Sequence, residues 1–504
     1  MNNFLGIDVG TTGLKVSLLS ERGQLIGSEY REYPILVPYS GYAEQDPKAW
    51  WDGFINSCQT LKKKYPGDLN SVAGIGICGQ MHTQVYLDQE NNILRPAITW
   101  MDQRSNGIVE RINQERETKD LVFRETQNIT TTTYTAPQAR WVIENQPELW
   151  NKVAKILIAK DFIKFKLTGQ MVTDFSDASG TLLFNVKERA WSDEMFRFFG
   201  IPREKFPDVQ PSDKIIGQVS PEASTLTGIK EGTPVCNGST DNSASALGAG
   251  MIKPGQVTLI IGTAGVISVC SDHPLVDPQY RTLCWNYCLP DRWVTLGITQ
   301  TAGESLNWFK NAFDKGKMGS RSGDVFEQYN QEIVGVPDGS EGVVFLPYLN
   351  GERTPYWDPA ARGVFYGLNL STEKAHFIKA IMEGVSFALR NNIETVESLG
   401  IEINQVRAVG GGLKSEIWLT TLGKILRKQV ITVSVPDTAN LGNILLCGSA
   451  LGIFESLDKA VSEMVTTDKY VFFEENTEIY EKQYGIFLEL YEQLKQTFKQ
   501  SSVN

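Results

Sequence analysis

A glycine–threonine loop occurs twice in this chain, and the two copies lie half the chain length apart. The first is GTTG at 10–13 and the second is GTAG at 262–265, and an apolar segment typical of a buried strand precedes each. The chain has 504 residues, more than a single hydrophobic core usually supports. The repeat and the length together predict an α/β protein of two related domains, residues 1–245 and 246–504, with a ligand site in the cleft between them.

Local patterns predict the elements around these loops. Short apolar segments separated by glycines predict an antiparallel meander of three strands at 4–9, 15–19 and 24–30. A helix that begins at Asp46 and Pro47 and a strand at 72–77 should follow. In the second half, the apolar spacing of 363–399, 415–426 and 477–500 favours helices.

Composition excludes several classes of function. The net charge is -11 and there is no long Lys/Arg run, which argues against a nucleic-acid partner. No segment approaches the roughly 20 apolar residues of a membrane span. The seven cysteines are scattered and odd in number, which favours a reducing, cytoplasmic environment. Cys284 and Cys288 have no second Cys/His pair nearby, so two core thiols are favoured over a zinc site.

Both loops have the composition of a phosphate cradle, because a tight turn can point consecutive N–H groups and threonine hydroxyls at phosphate oxygens. Lys15 can add a positive charge, and Asp8, which has no counterpart in the second copy, could hold a metal through water. An ordinary hairpin turn is the alternative for either loop taken alone. The candidate phosphate ligands are Gly10, Thr11, Thr12, Lys15, Gly262 and Thr263.

Two further segments carry side chains suited to an acceptor molecule. His82, next to Met81, follows the strand at 72–77, and either a substrate contact or a satisfied core imidazole fits that setting. Asp241 and Asn242 come directly before a helix of small residues. Asp241 is a candidate general base, although capping that helix would be the purely structural alternative.

A third glycine-rich turn follows the apolar strand at 406–409. Gly411 and Gly412 lie in a glycine triplet just before a helix that is expected to begin near Ser415. A strand, glycine turn and helix let a ribose or a flat ring approach the backbone, so these residues are predicted to form an adenosine pocket. The GxGxxG motif of dinucleotide-binding domains and the GxxxxGK[ST] motif of P-loop enzymes are both absent.

These motifs resemble the FGGY family of carbohydrate kinases, and the likeness extends in register from about residue 4 to 454. The segment 363–383 fits the carboxyl-terminal signature of the family at every defined position, and the WxDxR, DFSDASGT and GERTP segments also agree. GQMH at 79–82 and TDN at 240–242 look like the xylulokinases within it. Gln138, where a lysine is usual, and the segment 437–443 depart from the family pattern.

The resemblance implies two ribonuclease H-like, actin-like ATPase domains, each with a five-stranded sheet, that bind ATP, Mg²⁺ and a sugar in their cleft. It implies that Asp241 is the catalytic base, that Asp8 takes part in catalysis as the metal-binding carboxylate, and that the substrate is a ketopentose such as D-xylulose. A homodimer would be compatible with it. Gluconate, ribulose or another polyol is the alternative acceptor, and a non-enzymatic actin-like ATPase module is the alternative class. The implied sugar-binding residues are Met81, His82, Asp102, Asp241 and Asn242.

Overall fold

The repeat in the sequence corresponds to two large mixed sheets in the computed structural model, which describes residues 2–314, 322–473 and 477–501. The strands of the first half are β1 (Asn3–Val9), β2 (Gly13–Ser20), β3 (Leu25–Glu32), β4 (Glu44–Gln45), β5 (Val72–Gly79), β6 (Gln84–Leu87), β7 (Ala97–Ile98), β8 (Lys155–Ile158), β9 (Val172–Asp174), β10 (Phe184–Asn185), β11 (Ala190–Trp191), β12 (Asp208–Gln210), β13 (Ile215–Gln218), β14 (Pro234–Cys236) and β15 (Ser239–Thr240). Its helices are α1 (Pro47–Lys64), α2 (Pro66–Asn70), α3 (Asn106–Gln114), α4 (Arg116–Thr126), α5 (Thr135–Asn145), α6 (Pro147–Trp150), α7 (Ala159–Thr168), α8 (Phe175–Ser179), α9 (Asp193–Phe199), α10 (Pro221–Thr227) and α11 (Asp241–Gly248).

The second half repeats the plan with a second sheet. Its strands are β16 (Gln256–Ile261), β17 (Gly265–Ser271), β18 (Leu283–Asn286), β19 (Trp293–Thr299), β20 (Val344–Leu346), β21 (Val364–Tyr366), β22 (Gln405–Val409), β23 (Gln429–Val433) and β24 (Thr467–Val471). Its helices are α12 (Gly303–Phe313), α13 (Ser322–Glu332), α14 (Lys374–Glu397), α15 (Glu416–Leu426), α16 (Thr438–Ala450), α17 (Leu457–Met464) and α18 (Glu478–Ser501).

The two sheets share one topology around their glycine–threonine loops. The first has the order β13-β14-β5-β1-β2-β3, with β15 also paired to β5, and the second has the order β18-β19-β17-β16-β22-β23-β24. In each, an antiparallel hairpin (β1–β2 or β16–β17) pairs through its first strand with a parallel strand, β5 or β22. The predicted α/β architecture of two sheet-containing domains is confirmed, although each sheet has seven strands rather than five.

Helix α16 joins the two halves, because it comes from the end of the chain yet packs on β1, β5 and α11 of the first half. A Cβ at Gly442 would lie 1.9 Å from the carbonyl oxygen of Ala244 in α11, so the crossing depends on a residue with no side chain. Asp437 caps α16 and bonds Lys15 and Ser17 of β2 at 3.0 and 2.8 Å. The unusual segment 437–443 is therefore a polar contact between the halves, and it does not line the glycine-rich cavity described below. A boundary at 245/246 remains a prediction.

One of the predicted helices begins later than expected. Residues 364–366 form β21, which pairs with β20, and α14 begins only at Lys374. The side chains of Glu373 and His376 cap the start of α14 reciprocally, and Glu373 N donates to His376 Nδ1 at 2.9 Å. The apolar residues at 364–366 therefore serve a strand pairing that helical spacing alone did not distinguish. The meander, α1, α15 and α18 match their predictions.

None of the helices in the described residues is both long enough and apolar enough to cross a bilayer.

Candidate functional site

The loops that carry the candidate site residues lie close together because they all follow the carboxyl ends of parallel strands. In the first sheet, β1 and β15 run parallel to β5, with Val9 and Thr240 both in register with Gly79. The GTTG loop, the Met81–His82 pair and Asp241 therefore leave the sheet at one edge. In the second sheet, β16 and β22 place the GTAG loop beside the glycine triplet in the same way.

These edges form two cavities. The first, which we call the cleft cavity, has a volume of about 530 Å³ and is lined by both halves of the chain. Among the predicted site residues it contains Thr11, Met81, His82, Asp241 and Asn242. The second, which we call the glycine cavity, has a volume of about 450 Å³. Its predicted members are Gly262, Thr263, Gly411, Gly412 and Ser415.

Asp241 is not the N-cap of its helix, although its carboxylate bonds a backbone N–H of the first turn. The N-cap of α11 is Thr240, whose hydroxyl accepts from Ser243 N at 3.2 Å, and Asp241 is the first helical residue. Its carboxylate accepts from Asn242 N at 2.7 Å and lies in the lining of the cleft cavity. Burial raises the pKa of Asp241 to about 6, while its backbone hydrogen bonds oppose that rise. A carboxylate with a pKa near neutrality suits a proton acceptor.

A cluster of buried charges lies behind Asp241. Thr240 N donates to Ser176 Oγ at 3.0 Å, and that hydroxyl donates to Asp174 at 2.5 Å. Lys160 Nζ, fully buried, lies 2.8 Å from Asp174 and from Asp177 and 2.7 Å from Asp161. Because Thr240 immediately precedes Asp241, this cluster anchors the backbone that carries the candidate base.

His82 is both a buried imidazole and a wall of the cleft cavity. Its Nδ1 lies 2.5 Å from the carbonyl oxygen of Gly180, and a Cβ at Gly180 would come within 2.8 Å of the ring. Burial, together with the charge of Arg353, lowers the pKa of His82 to about 4. The ring is thus neutral at pH 7. Because the carbonyl of Gly180 can only accept, Nδ1 carries the proton and the other nitrogen, Nε2, is a hydrogen-bond acceptor.

The first glycine–threonine loop is held by side chains that bind its carbonyl oxygens. Tyr33 and Gln80 donate to the carbonyl of Gly10, and Gln45 donates to that of Thr11 at 2.6 Å. The indole of Trp100 donates to the Thr11 hydroxyl at 2.9 Å. The loop is therefore pre-organised.

Asp8 lies in β1, next to this loop. Burial raises its pKa to about 7, and the charges of Asp241 and Asp437 add to the rise. Such an accumulation of negative charge suits a divalent cation. No group of three or more His, Cys, Asp or Glu side chains placed to hold a metal occurs within the described part of the chain. The buried carboxylate of Asp8, with the negative charges of Asp241 and Asp437 nearby, fits Mg²⁺, which is commonly held by one or two carboxylates together with water and phosphate.

Some of the predicted residues lie outside both cavities. Asp102 is fully buried, and its oxygens accept from Ala43 N at 2.6 Å and from Arg104 at 2.8 Å. It therefore does not line the cleft cavity. Lys15 is paired with Asp437, and the hydroxyl of Thr12 lies 3.0 Å from that of Tyr30. Gly10 and Asp8 are adjacent to the cleft cavity without lining it.

Other residues line the cleft cavity without having been predicted to do so. Trp100 and Arg353 belong to the WxDxR and GERTP segments. The family motifs thus pointed to both segments, but they did not indicate which side chains would face the cavity. Tyr134 and Trp285 contact the His82 ring at centroid distances of 5.0 and 5.7 Å. Trp285 lies on β18 with no local motif, so only the tertiary structure reveals it.

Comparison with known proteins agrees with this geometry. Residues 3–248 and 257–451 match the N-terminal and C-terminal domains of the FGGY family of carbohydrate kinases. Xylulose kinase of Bacillus subtilis is 33% identical over 465 residues, covering 92% of this chain and 91% of that protein. Gluconokinase of the same bacterium is 31% identical, with coverage of 98% and 97%.

The structural neighbours include the ligand-bound xylulose kinase from Lactobacillus acidophilus. Its TM-score is 0.92 at 27% identity, and the alignment covers 99% of this chain and 100% of that one. FGGY sugar kinases have the actin-like ATPase fold, so the predicted fold class is confirmed. Two halves built on one topology, and the family match that spans both, lead to one conclusion: this chain belongs to the FGGY family of carbohydrate kinases and is a xylulokinase-like member of it.

Proposed function

We propose that this kinase transfers the γ-phosphoryl group of ATP to the terminal hydroxyl of D-xylulose, which yields D-xylulose 5-phosphate. The sugar binds in the cleft cavity and the adenosine of ATP binds in the glycine cavity. The observation that carries the proposal is the convergence of Asp241, Asn242, Met81, His82 and the Thr11 loop on one cavity. The similarity to proteins named xylulose kinase supports the choice of sugar.

In this mechanism, Asp241 accepts the proton of the terminal hydroxyl as that oxygen bonds to the γ-phosphorus and the bond to ADP breaks. Met81, Asn242 and the neutral His82 orient the sugar, with Nε2 of His82 accepting from a sugar hydroxyl. The second loop positions phosphate oxygens through Gly262 and Thr263. Bound Mg²⁺, held by Asp8, would neutralise phosphate charge.

On the other side of the cleft, the first loop holds phosphate through Gly10, Thr11 and Thr12. Lys15 is paired with Asp437 at 3.0 Å, so it can bind phosphate only if this ion pair breaks and the nucleotide replaces Asp437. Because Asp437 caps α16, such an exchange would couple nucleotide binding to the contact between the two halves.

The raised pKa of Asp241 predicts the pH dependence of the reaction. The base acts only when deprotonated, so kcat/KM for the sugar should fall about tenfold per pH unit below about pH 6. Initial rates between pH 5 and 8 at saturating magnesium-ATP would measure this limb. A profile that stays level down to pH 5 would argue against Asp241 as the base.

Gluconate is the second candidate acceptor, because the gluconokinase of Bacillus subtilis is 31% identical over 98% of this chain. The direct test compares kcat/KM for D-xylulose, D-ribulose, L-ribulose, gluconate and glycerol. We expect D-xylulose to be preferred by about tenfold or more, since a few well-placed contacts suffice for that discrimination. Preference for gluconate would leave the kinase assignment intact and overturn the assignment of the sugar.

A further inference from the structure

The guanidinium of Arg353 is a positive charge at the wall of the cleft cavity. Within the residues that the structure describes, no carboxylate lies within 4.0 Å of it and no hydrogen bond uses its side-chain nitrogens, although the charge of Glu352 acts on it through space. His82 lines the same cavity, and the charge of Arg353 contributes to the lowered pKa of that imidazole. Burial lowers the pKa of Arg353 and the charge of Glu352 only opposes that shift, so a ligand oxygen bonded to the half-buried guanidinium would offset the cost of its burial.

The carboxylate of the neighbouring residue, Glu352, is occupied by hydrogen bonds to other groups. Glu352 accepts from Arg353 N at 2.7 Å, from Gln300 N at 2.9 Å and from the hydroxyl of Thr299 at 2.5 Å. Trp357 N donates to the carbonyl of Arg353 at 2.6 Å. These bonds fix the main chain on both sides of Arg353 and leave its side chain to the cavity.

Arg353 also lies between the cleft cavity and a second cavity of about 590 Å³. The two cavities share part of their lining, so they are neighbours on either side of this side chain. The shared residues are Gln103, Thr131, Thr132, Gln300, Arg353 and Trp357. The space beside the guanidinium can therefore hold a polar group at the end of a bound sugar.

We propose that Arg353 is an acceptor-binding residue, which holds the oxygen atoms at the end of the sugar remote from the phosphorylated hydroxyl and accommodates a carboxylate there. This inference rests on the proposed function in that it places the sugar in the cleft cavity. A guanidinium presents a planar fork of N–H donors, so a carboxylate gains two parallel charge-assisted hydrogen bonds where a carbonyl or hydroxyl gains weaker ones. Sugar acids thus form a second class of ligand for this site.

Arg353→Met and the five-carbon sugar acid D-xylonate test the proposal. In the wild type, D-xylonate should inhibit competitively against D-xylulose. In the variant, we expect the inhibition constant for D-xylonate to rise about 10- to 100-fold and the KM for D-xylulose about 3- to 10-fold, because a bond to a charged partner contributes more than a neutral one. The KM for ATP should change less than twofold.

Arg362→Met is the matched control, because Arg362 belongs to the same loop region, is exposed and, within the described parts of the chain, donates only to the carbonyls of Pro359 and Ala361. It should leave all three constants unchanged. If folded Arg353→Met keeps the wild-type KM for D-xylulose and the wild-type inhibition by D-xylonate, the proposal is wrong. D-xylulose turnover by the wild type tests the proposed function separately, without the variant.

Should Arg353→Met fail to fold, Arg353→Lys provides the second test. Lysine keeps the charge and loses the planar fork, so D-xylonate inhibition should weaken more than D-xylulose binding. Equal constants in this variant and the wild type would also overturn the proposal.

Discussion

Replacing Asp241 with asparagine should lower kcat about 10²- to 10⁴-fold, the usual contribution of a positioned general base. The amide has the shape of the carboxylate, and its oxygen can still accept from Asn242 N, a contact of 2.7 Å in the wild type. The start of α11 is capped by Thr240 and should not change. The variant should therefore fold and bind sugar while losing proton transfer. Steady-state kinetics and a thermal melt measure both properties.

Asp193→Asn is the matched control for this variant. Asp193 is also the first residue of a helix behind a capping hydroxyl residue, Ser192, but it is exposed and lines neither cavity. It should retain the wild-type rate. The acid limb of the pH profile should disappear in Asp241→Asn and persist in Asp193→Asn. Wild-type turnover in folded Asp241→Asn would exclude Asp241 as the base.

Replacing Lys160 with methionine should cause the largest loss of stability. Its ammonium is fully buried and lies within 2.8 Å of three carboxylates, those of Asp161, Asp174 and Asp177. Removing one partner from a buried charge cluster costs about 3–5 kcal/mol. Asp174 and Asp177 would lose their ammonium partner, while Asp161 would keep Lys164 at 2.9 Å. Equilibrium denaturation in urea would measure the lowered free energy of unfolding. Since Thr240 is tied to this cluster through Ser176, kcat should also fall.

The loss should depend on pH in a defined direction. Lys160 opposes the raised pKa of Asp177, so that pKa should rise further without it. The folded state then binds more protons than the unfolded state, and stability falls as pH rises. The destabilisation should therefore be larger at pH 8 than at pH 5. Lys166→Met, on the same helix with its Nζ over the Trp51 ring, should cost much less. Equal losses in the two lysine variants would contradict this account of the cluster.

Asp177→Asn added to Lys160→Met should recover part of the lost stability. Burial raises the pKa of Asp177 to about 8, and the carboxylates of Asp174 and Asp161 add to the rise while Lys160 opposes it. The negative charge of Asp177 is thus disfavoured by its surroundings. Partial recovery in the double variant would show that uncompensated charge, and not lost packing alone, causes the instability.

Features that depend on short segments of chain can be read from the sequence alone. The two glycine–threonine loops, the start of α1 at Asp46 and Pro47 and the glycine turn before α15 depend on backbone preferences and on hydrogen bonds between near neighbours. Helical spacing identified α15 and α18 for the same reason, but over-extended α14, because β21 forms only when it pairs with β20, about twenty residues upstream. The family motifs then identified the kinase.

The tertiary structure decided which of these residues share a site. Asp241 lies beside Met81 and His82 because β15 and β5 pair in parallel, an arrangement between segments far apart in the chain. The pairing of Lys15 with Asp437, the burial of Asp102 and the placement of Arg353 in the cleft cavity arise in the same way. A side chain's partners, exposure and pKa depend on whatever surrounds it in space, and residues hundreds of positions away supply those surroundings here.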